Sequence, residues 1–171
     1  MRASVVIHNA RLIMSNEIIH GSVSVVNGRI DSIDSGLSTT PGAIDFEGDF
    51  LMPGMIEGHS HLLLHPYDKT PWDDQVLKES EAYRVARAVV HAKATLLAGF
   101  TTVRDLGTEG AGNADVGLKR AINEGHVPGP RMIIATRALV APGSYAPKND
   151  AWAVPQGAEE ADGPNLVSAV R

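Results

Sequence analysis

From residue 51 onward the sequence alternates between strand-like and helix-like segments, and this alternation restricts the possible folds more than any other feature. The strand-like runs lie at 51–58, 101–106 and 131–136, and the helix-like stretches between them lie at 79–98 and 115–124. Strands that alternate with helices form a parallel sheet. Right-handed crossovers wind such a sheet into a doubly wound sheet or a barrel. The sequence therefore predicts an α/β fold from residue 51.

The helix predicted at 79–98 rests on apolar residues that recur at helical spacing, with Gly99 as a stop signal. These residues are Ala82, Val85, Val89, Ala92 and Leu96. In the shorter helix Asp115 is the predicted N-cap, and Gly125 follows the helix end. A third helix is expected to begin at Asn165, after a long irregular stretch.

The first 50 residues have a different pattern, which is typical of a series of short strands. The strand-like runs lie at 4–8, 11–14, 22–26, 29–33 and 43–46. Asn27-Gly28 separates two of these runs and is typical of a two-residue hairpin turn. We therefore expect two parts, a β-rich part at 1–50 and a βα part at 51–171.

The composition is that of an ordinary globular protein, and it excludes several classes of function. The 171 residues are 43% hydrophobic and 20% charged, with a formal net charge of -5, which favours neither nucleic acid nor an anionic membrane as partner. No apolar run approaches the roughly 20 residues of a membrane span, and the N-terminus is a poor signal peptide, so we expect a cytoplasmic protein. Because the chain has no cysteine, a metal must bind imidazole and carboxylate groups, which suits zinc and its neighbours.

A pair of histidines follows the first strand of the βα part. His59 and His61 flank one serine, and residues two apart in a strand point to the same face. Two imidazoles on one face can converge on one metal ion. The alternative is a pair of surface histidines that share no ligand. We predict that His59 and His61 are metal ligands, which requires both imidazoles to be neutral.

Three motifs together resemble those of the metal-dependent amidohydrolase superfamily. They are Pro-Gly-Met-Ile-Glu-Gly-His-Ser-His at 53–61, Gly-Phe-Thr-Thr-Val-Arg-Asp at 99–105 and Pro-Gly-Pro-Arg-Met at 128–132. The similarity runs through nearly the whole chain, and it is greatest to the Xaa-Pro dipeptidase-like and imidazolonepropionase-like branch. The resemblance implies a (β/α)8 TIM barrel with one or two divalent metal ions, of which zinc is the expected one. It also implies a small β-sandwich built from both chain ends, with residues 1–50 as its first half.

In this family the His-x-His pair ends barrel strand 1. The resemblance implies further ligands on later strands: a strand-4 lysine, histidines on strands 5 and 6, and a strand-8 aspartate that also handles the proton of the attacking water. None of these positions lies within the 171 residues, so we assign no catalytic residue to this chain. A barrel needs about 250 residues. We therefore expect the rest of the barrel to come from elsewhere, as a second polypeptide, the other product of a proteolytic cut, or a further region of the same chain.

Three other residues are candidates for the site. Glu57 is predicted to orient an imidazole, the alternative being a carboxylate in a polar setting at a strand end. Asp105 is predicted to support the metal ligands or a loop, the alternative being a structural ion pair with Arg104. Tyr145 replaces a histidine that many relatives carry near this point, and we predict that it donates a hydrogen bond to substrate.

These observations favour a metal-dependent hydrolase that cleaves an amide or related C–N bond in a small molecule, with a dipeptide or an N-acyl amino acid as the expected substrate. A homo-oligomer is also expected. Two alternatives remain open. In the first alternative, the same fold hydrolyses a cyclic amide, a carbamate or a phosphoester. In the second, the chain is a non-catalytic subunit that completes the fold of another chain.

Overall fold

The structure, a computed structural model, describes residues 4–138. Tyr145, the irregular stretch at 140–164 and the helix predicted from Asn165 lie outside the described residues. The chain divides into two compact units, with the boundary between Pro53 and Gly54.

The first unit is a five-stranded sheet. Its strands are β1 (Ser4–Ile13), β2 (Ile18–Val26), β3 (Arg29–Ser35), β4 (Ile44–Asp45) and β5 (Phe50–Leu51). The order is β3-β2-β1-β4, and β5 also pairs with β1. The strands β1, β2 and β3 run antiparallel, whereas β4 and β5 run parallel to β1. Ala10, Leu12 and Val23 form the buried core of this sheet.

The runs predicted at 4–8 and 11–14 belong to one strand rather than two. The pairing of β1 with β2 shifts register between Ile7 and Ala10, where Asn9 has a φ of 55°. The predicted hairpin turn does join β2 to β3. Asn27 and Gly28 have φ values of 53° and 75°, and two positive φ values are what a two-residue turn of this kind requires.

The second unit alternates strands and helices. It contains β6 (Met55–Ser60), α1 (Trp72–Leu77), α2 (Glu81–Leu97), β7 (Phe100–Asp105), α3 (Ala114–Asn123) and β8 (Arg131–Ile134). The strands form a parallel sheet in the order β6-β7-β8. The helix α1 was not predicted, because it is short and carries no apolar stripe long enough to detect.

The long helix α2 packs its small residues into the core of the second unit. Ser80 caps its first turn by accepting a hydrogen bond from the backbone N–H of Tyr83. Ala88 and Ala92 are fully buried, and such small side chains let the helix approach the sheet closely. The helix ends at Leu97, one residue before the predicted end, and the predicted stop Gly99 takes a φ of 94° that favours glycine.

The predicted N-cap of α3 is wrong. The N-cap is Asn113, and Asp115 lies inside the first turn with its side chain fully buried. Its carboxylate accepts hydrogen bonds from the backbone N–H groups of Val116 and Thr136. Asp115 therefore links the start of α3 to the segment after β8, a tertiary role that a local capping pattern does not reveal. Within residues 4–138, no helix has the length and apolar character to cross a membrane.

Candidate metal centre

The candidate site lies where β6 and β7 end side by side. The two strands are parallel, and Ser60 pairs in register with Asp105. At the start of β6 the two strands lie so close together that a Cβ on Gly54 would collide with the side chain of Thr101. Parallel strands present their carboxyl ends at one edge of a sheet, and in α/β folds functional side chains gather at that edge.

The structure brings His59 and His61 together. Their Nε2 atoms lie 3.3 Å apart, and their rings meet edge to face with centroids 5.2 Å apart. His59 is exposed and His61 is partly buried. The two imidazoles therefore converge through their Nε2 atoms, on the face that the spacing of two residues predicted.

The hydrogen-bond partner of His61 sets its tautomer. Its Nδ1 atom lies 3.0 Å from the carbonyl oxygen of Gly107, so Nδ1 carries the hydrogen and donates it. Nε2 then presents a lone pair toward His59, where the two rings can share a hydrogen or a cation. Two nitrogens bound to one tetrahedral zinc ion at about 2.0–2.1 Å lie about 3.3–3.4 Å apart. The observed separation fits a divalent metal bound between the rings.

Further metal ligands are not found in the described part of the chain. Between residues 4 and 138 there is no group of three or more histidine, cysteine or acidic side chains that could hold a metal ion. The pair of histidines is thus the whole of the candidate metal site that these residues form.

The carboxylate of Glu57 bonds to backbone rather than to an imidazole. Its Oε1 atom accepts a hydrogen bond of 2.9 Å from the backbone N–H of His59. Glu57 therefore holds the strand at His59, and its effect on the ring of that histidine is indirect.

Asp105 is fully buried at the end of β7. Its carboxylate accepts hydrogen bonds from the backbone N–H groups of Leu62, at 3.0 Å, and Gly107, at 3.4 Å. Burial raises the pKa of Asp105 above its ordinary value of 3.8, although these two hydrogen bonds oppose the change. Asp105 therefore ties the loop after His61 to the loop that carries Gly107, whereas Arg104 is exposed.

Sequence reasoning missed Arg84, a buried charged residue beside the site. Its side chain is 1% exposed, and its guanidinium donates to the carbonyl oxygens of Leu63, Thr108 and Glu109 at 3.2, 2.6 and 2.7 Å. Arg84 thereby joins the loop after β6 to the loop after β7. A signal was available, because Arg84 stands four residues before Ala88 on the buried face of α2.

Glu109 and Trp72 were missed as well. Glu109 is 6% exposed, its Oε2 atom accepts a hydrogen bond of 3.1 Å from the indole N–H of Trp72, and its Oε1 atom lies 3.8 Å from Nδ1 of His61. The three glycines at 107, 110 and 112 are typical of a tight loop, but nothing in the sequence places this carboxylate beside His61.

Two other histidines, His65 and His91, contact residues of the loop after β6. The Nδ1 atom of His65 lies 3.2 Å from Oγ1 of Thr70, which agrees with a loop histidine that only forms hydrogen bonds. Its ring stacks on that of His91 with centroids 5.8 Å apart. His91 is partly buried on α2, and its Nδ1 atom lies 3.0 Å from the carbonyl oxygen of Leu62.

Comparison with known proteins identifies the family. The profile of the amidohydrolase family matches residues 50–163. A curated relative, alpha-D-ribose 1-methylphosphonate 5-triphosphate diphosphatase of Escherichia coli (strain K12), is 33% identical over 103 residues, which are 58% of this chain and 25% of the relative. The family resemblance predicted from the three sequence motifs is confirmed.

Solved structures give the same result for the fold. A prolidase complexed with N-methylphosphonate-L-proline is 27% identical with a TM-score of 0.77, and the match covers 99% of this chain and 43% of the prolidase. An Xaa-Pro dipeptidase with methionine in its active site is 26% identical with a TM-score of 0.75, and the match covers 99% and 44%. The predicted α/β fold class is confirmed, and the chain spans less than half of the length of these structures. This coverage is consistent with the N-terminal part of a TIM-barrel protein.

Proposed function

We propose, on the premise that the chain belongs to the amidohydrolase family, that it forms part of a metal-dependent hydrolase that cleaves an amide or related C–N bond. The observation that carries the proposal is the 3.3 Å separation of the two Nε2 atoms of His59 and His61 at the end of β6. The amidohydrolase family is generally metal-dependent, which supports this use of the pair.

In the proposed mechanism, His59 and His61 hold a divalent ion, for which zinc is the first candidate. When bound, such an ion supplies polarisation of the scissile carbonyl and lowers the pKa of a water toward neutrality. The hydrogen bond from Nδ1 to the carbonyl of Gly107 orients the ring of His61 and leaves Nε2 as the nitrogen that would bind the ion. Asp105 holds the backbone on both sides of this contact, through Leu62 and Gly107.

The remaining roles are assigned outside the described residues. We propose that the group which moves the proton of the attacking water belongs to the part of the barrel that residues 4–138 do not contain. Tyr145 is proposed to donate a hydrogen bond to substrate.

The domain division is also a proposal. Residues 1–50 are proposed to form the first half of a β-sandwich, and residues 51–171 the first three βα units of a barrel.

The proposed substrate is a dipeptide or an N-acyl amino acid. Two similar structures, those of a prolidase and an Xaa-Pro dipeptidase, support this class. The test is to assay the full-length protein on Xaa-Pro dipeptides and N-acyl amino acids, before and after treatment with a chelator. We expect hydrolysis that chelation abolishes and added zinc restores. Hydrolysis that survives complete metal removal would contradict the metal-dependent mechanism.

A second candidate function is hydrolysis of a phosphorus–oxygen bond. It is favoured by the E. coli relative, whose name is that of a diphosphatase. Release of inorganic phosphate or diphosphate from phosphate esters and nucleotides, measured on the same samples, separates the two candidates. If the metal-loaded protein turns over neither class, a non-catalytic role is supported instead.

A further inference from the structure

From the position of Glu109 we infer that its carboxylate is a positioning residue for His61, the histidine that is proposed to bind the metal. The inference rests on the proposed function, because it concerns how His61 binds the metal. It goes beyond that function in assigning a role to a residue that no family motif in the sequence marks.

The backbone conformation at Glu109 indicates that the glutamate side chain has a role beyond forming the turn. Glu109 has a φ of 51°, in the left-handed region that glycine favours, and Gly110 beside it has a φ of 87°. A loop of this shape is formed with less strain by glycine or asparagine at both positions. Glutamate at 109 therefore adds a buried carboxylate at the expense of backbone strain.

Contacts on both ends of the residue fix this carboxylate. The indole of Trp72 donates to Oε2 at 3.1 Å, and the guanidinium of Arg84 donates to the backbone carbonyls of Glu109 and Thr108 at 2.7 and 2.6 Å. Because Glu109 is 6% exposed, water does little to screen its charge. The negative charge is thus held at one place in the loop after β7.

That place is beside the imidazole of His61. The Oε1 atom lies 3.8 Å from Nδ1, too far for a hydrogen bond, whereas the carbonyl of Gly107 lies 3.0 Å from the same nitrogen. Gly107 therefore accepts the hydrogen, and Glu109 acts through its charge. A negative charge beside Nδ1 favours the ring orientation in which the N–H lies on this side and Nε2 faces His59.

The test compares metal affinity in the full-length protein and in Glu109→Gln. Glutamine keeps an oxygen that can accept the indole hydrogen, but it removes the charge. Zinc affinity is measured by competition with a chromophoric chelator at about pH 8, where an ordinary imidazole is neutral. We expect about tenfold weaker binding in the variant, the lower end of the loss seen when an outer partner of a ligating histidine is removed. We also expect a shift of the visible bands of the cobalt-loaded protein, which a purely structural role would not produce.

Asp115→Asn is the matched control. Asp115 is a second buried carboxylate in the same region, and it bonds to backbone N–H groups of Val116 and Thr136. This variant should lose stability yet keep the wild-type metal affinity and cobalt spectrum. Equal affinity in Glu109→Gln and the wild type, with unchanged cobalt bands, would overturn the inference.

Two further variants keep the experiment decisive. If Glu109→Gln does not fold, Trp72→Phe releases the carboxylate from its indole donor, and we expect a several-fold loss of affinity; no loss would count against the inference. His59→Ala/His61→Ala separates the two levels. Undiminished zinc binding in this double variant contradicts the proposed function. If the double variant loses zinc binding but Glu109→Gln binds zinc as tightly as the wild type, only the role of Glu109 is contradicted.

Discussion

At the residue scale, the site depends on side chains that bind the backbone of the two loops flanking it. Asp105 accepts from the N–H groups of Leu62 and Gly107, and Arg84 donates to carbonyls in both loops. A buried polar group that loses its partner costs more than its hydrogen bond contributes when formed. The geometry of His61 is therefore supported by groups that never touch a metal.

Arg84 provides the first prediction. Arg84→Met removes the guanidinium and leaves three carbonyl oxygens without this donor. We expect the free energy of unfolding to fall by at least about 3 kcal/mol, because each unsatisfied buried group costs about 1–3 kcal/mol. Urea unfolding of the full-length protein measures it.

The matched control for Arg84 is Arg120→Met. Arg120 is exposed on α3 and pairs with Glu124, the residue that follows the helix. This change should stay within about 0.5 kcal/mol. Equal effects of the two substitutions would contradict the structural role assigned to Arg84.

At the residue scale, the sequence predicted the position of a side chain only where the spacing between residues determines it. A separation of two residues at a strand end was enough to predict that His59 and His61 share a face. The positions of Arg84 and Glu109 follow from how α2 and the loop after β7 pack against each other, and no local pattern encodes that packing. Glu57 shows a similar gap, since its carboxylate lies near His59 as expected but bonds to the backbone.

At the scale of elements, α2 is held behind the site by its buried face and by one histidine. The ring of His91 reaches from α2 to the carbonyl of Leu62, the residue after His61. Burial lowers the pKa of His91 below its ordinary value of 6.5, an effect that its hydrogen bond to Leu62 partly opposes. The neutral ring, with its hydrogen on Nδ1, thus connects the helix to the loop.

This pKa shift predicts an acid-sensitive contribution to stability. Because the pKa of His91 in the folded protein lies below its unfolded value, the unfolded chain binds more protons as pH falls below about 6.5. The stability that the buried neutral ring of His91 contributes is fully present above the pKa of the unfolded state. It is lost as the pH decreases toward the pKa of the folded state. Urea unfolding between about pH 8 and 5 should show a smaller loss for His91→Gln than for the wild type.

His126→Gln is the control for this measurement. His126 is exposed and contacts Glu124, far from the loop after β6. This variant should keep the acid sensitivity of the wild type. If His91→Gln loses stability on acidification as steeply as the wild type, burial of His91 does not contribute to the effect.

Elements that are long and periodic were predicted well, and short or tertiary ones were not. The helix α2 begins two residues after the predicted start and ends one residue before the predicted end. The helix α1, of 6 residues, escaped detection. The N-cap of α3 was misplaced because Asp115 forms its contacts with Thr136 rather than only with its own helix.

At the scale of the whole molecule, the parallel sheet of residues 4–138 contains three strands. Large apolar side chains on its outer strands remain accessible, such as Ile56 on β6 at 72% and Ile133 on β8 at 54%. Parallel sheets are normally covered on both faces. The two similar structures are more than twice as long as this chain, and we propose that the additional part of the barrel covers these faces.

The chain of 171 residues produced alone is therefore expected to have no hydrolase activity. Within residues 4–138 the two histidines have no third ligand beside them, and such a pair binds zinc weakly, while uncovered apolar faces favour aggregation. Thermal unfolding, light scattering and an assay of zinc-loaded samples on dipeptides measure these properties. A monomeric, cooperatively unfolding and active chain would contradict both the proposed metal site and the assigned fold.

The central claim is that His59 and His61 bind one metal ion through Nε2. Anomalous diffraction at the zinc absorption edge, from crystals of the zinc-loaded full-length protein, tests it most directly. The claim predicts an anomalous peak about 2.0–2.1 Å from the Nε2 atoms of both histidines. A fully loaded crystal in which every zinc peak lies beyond bonding distance of both rings would contradict it.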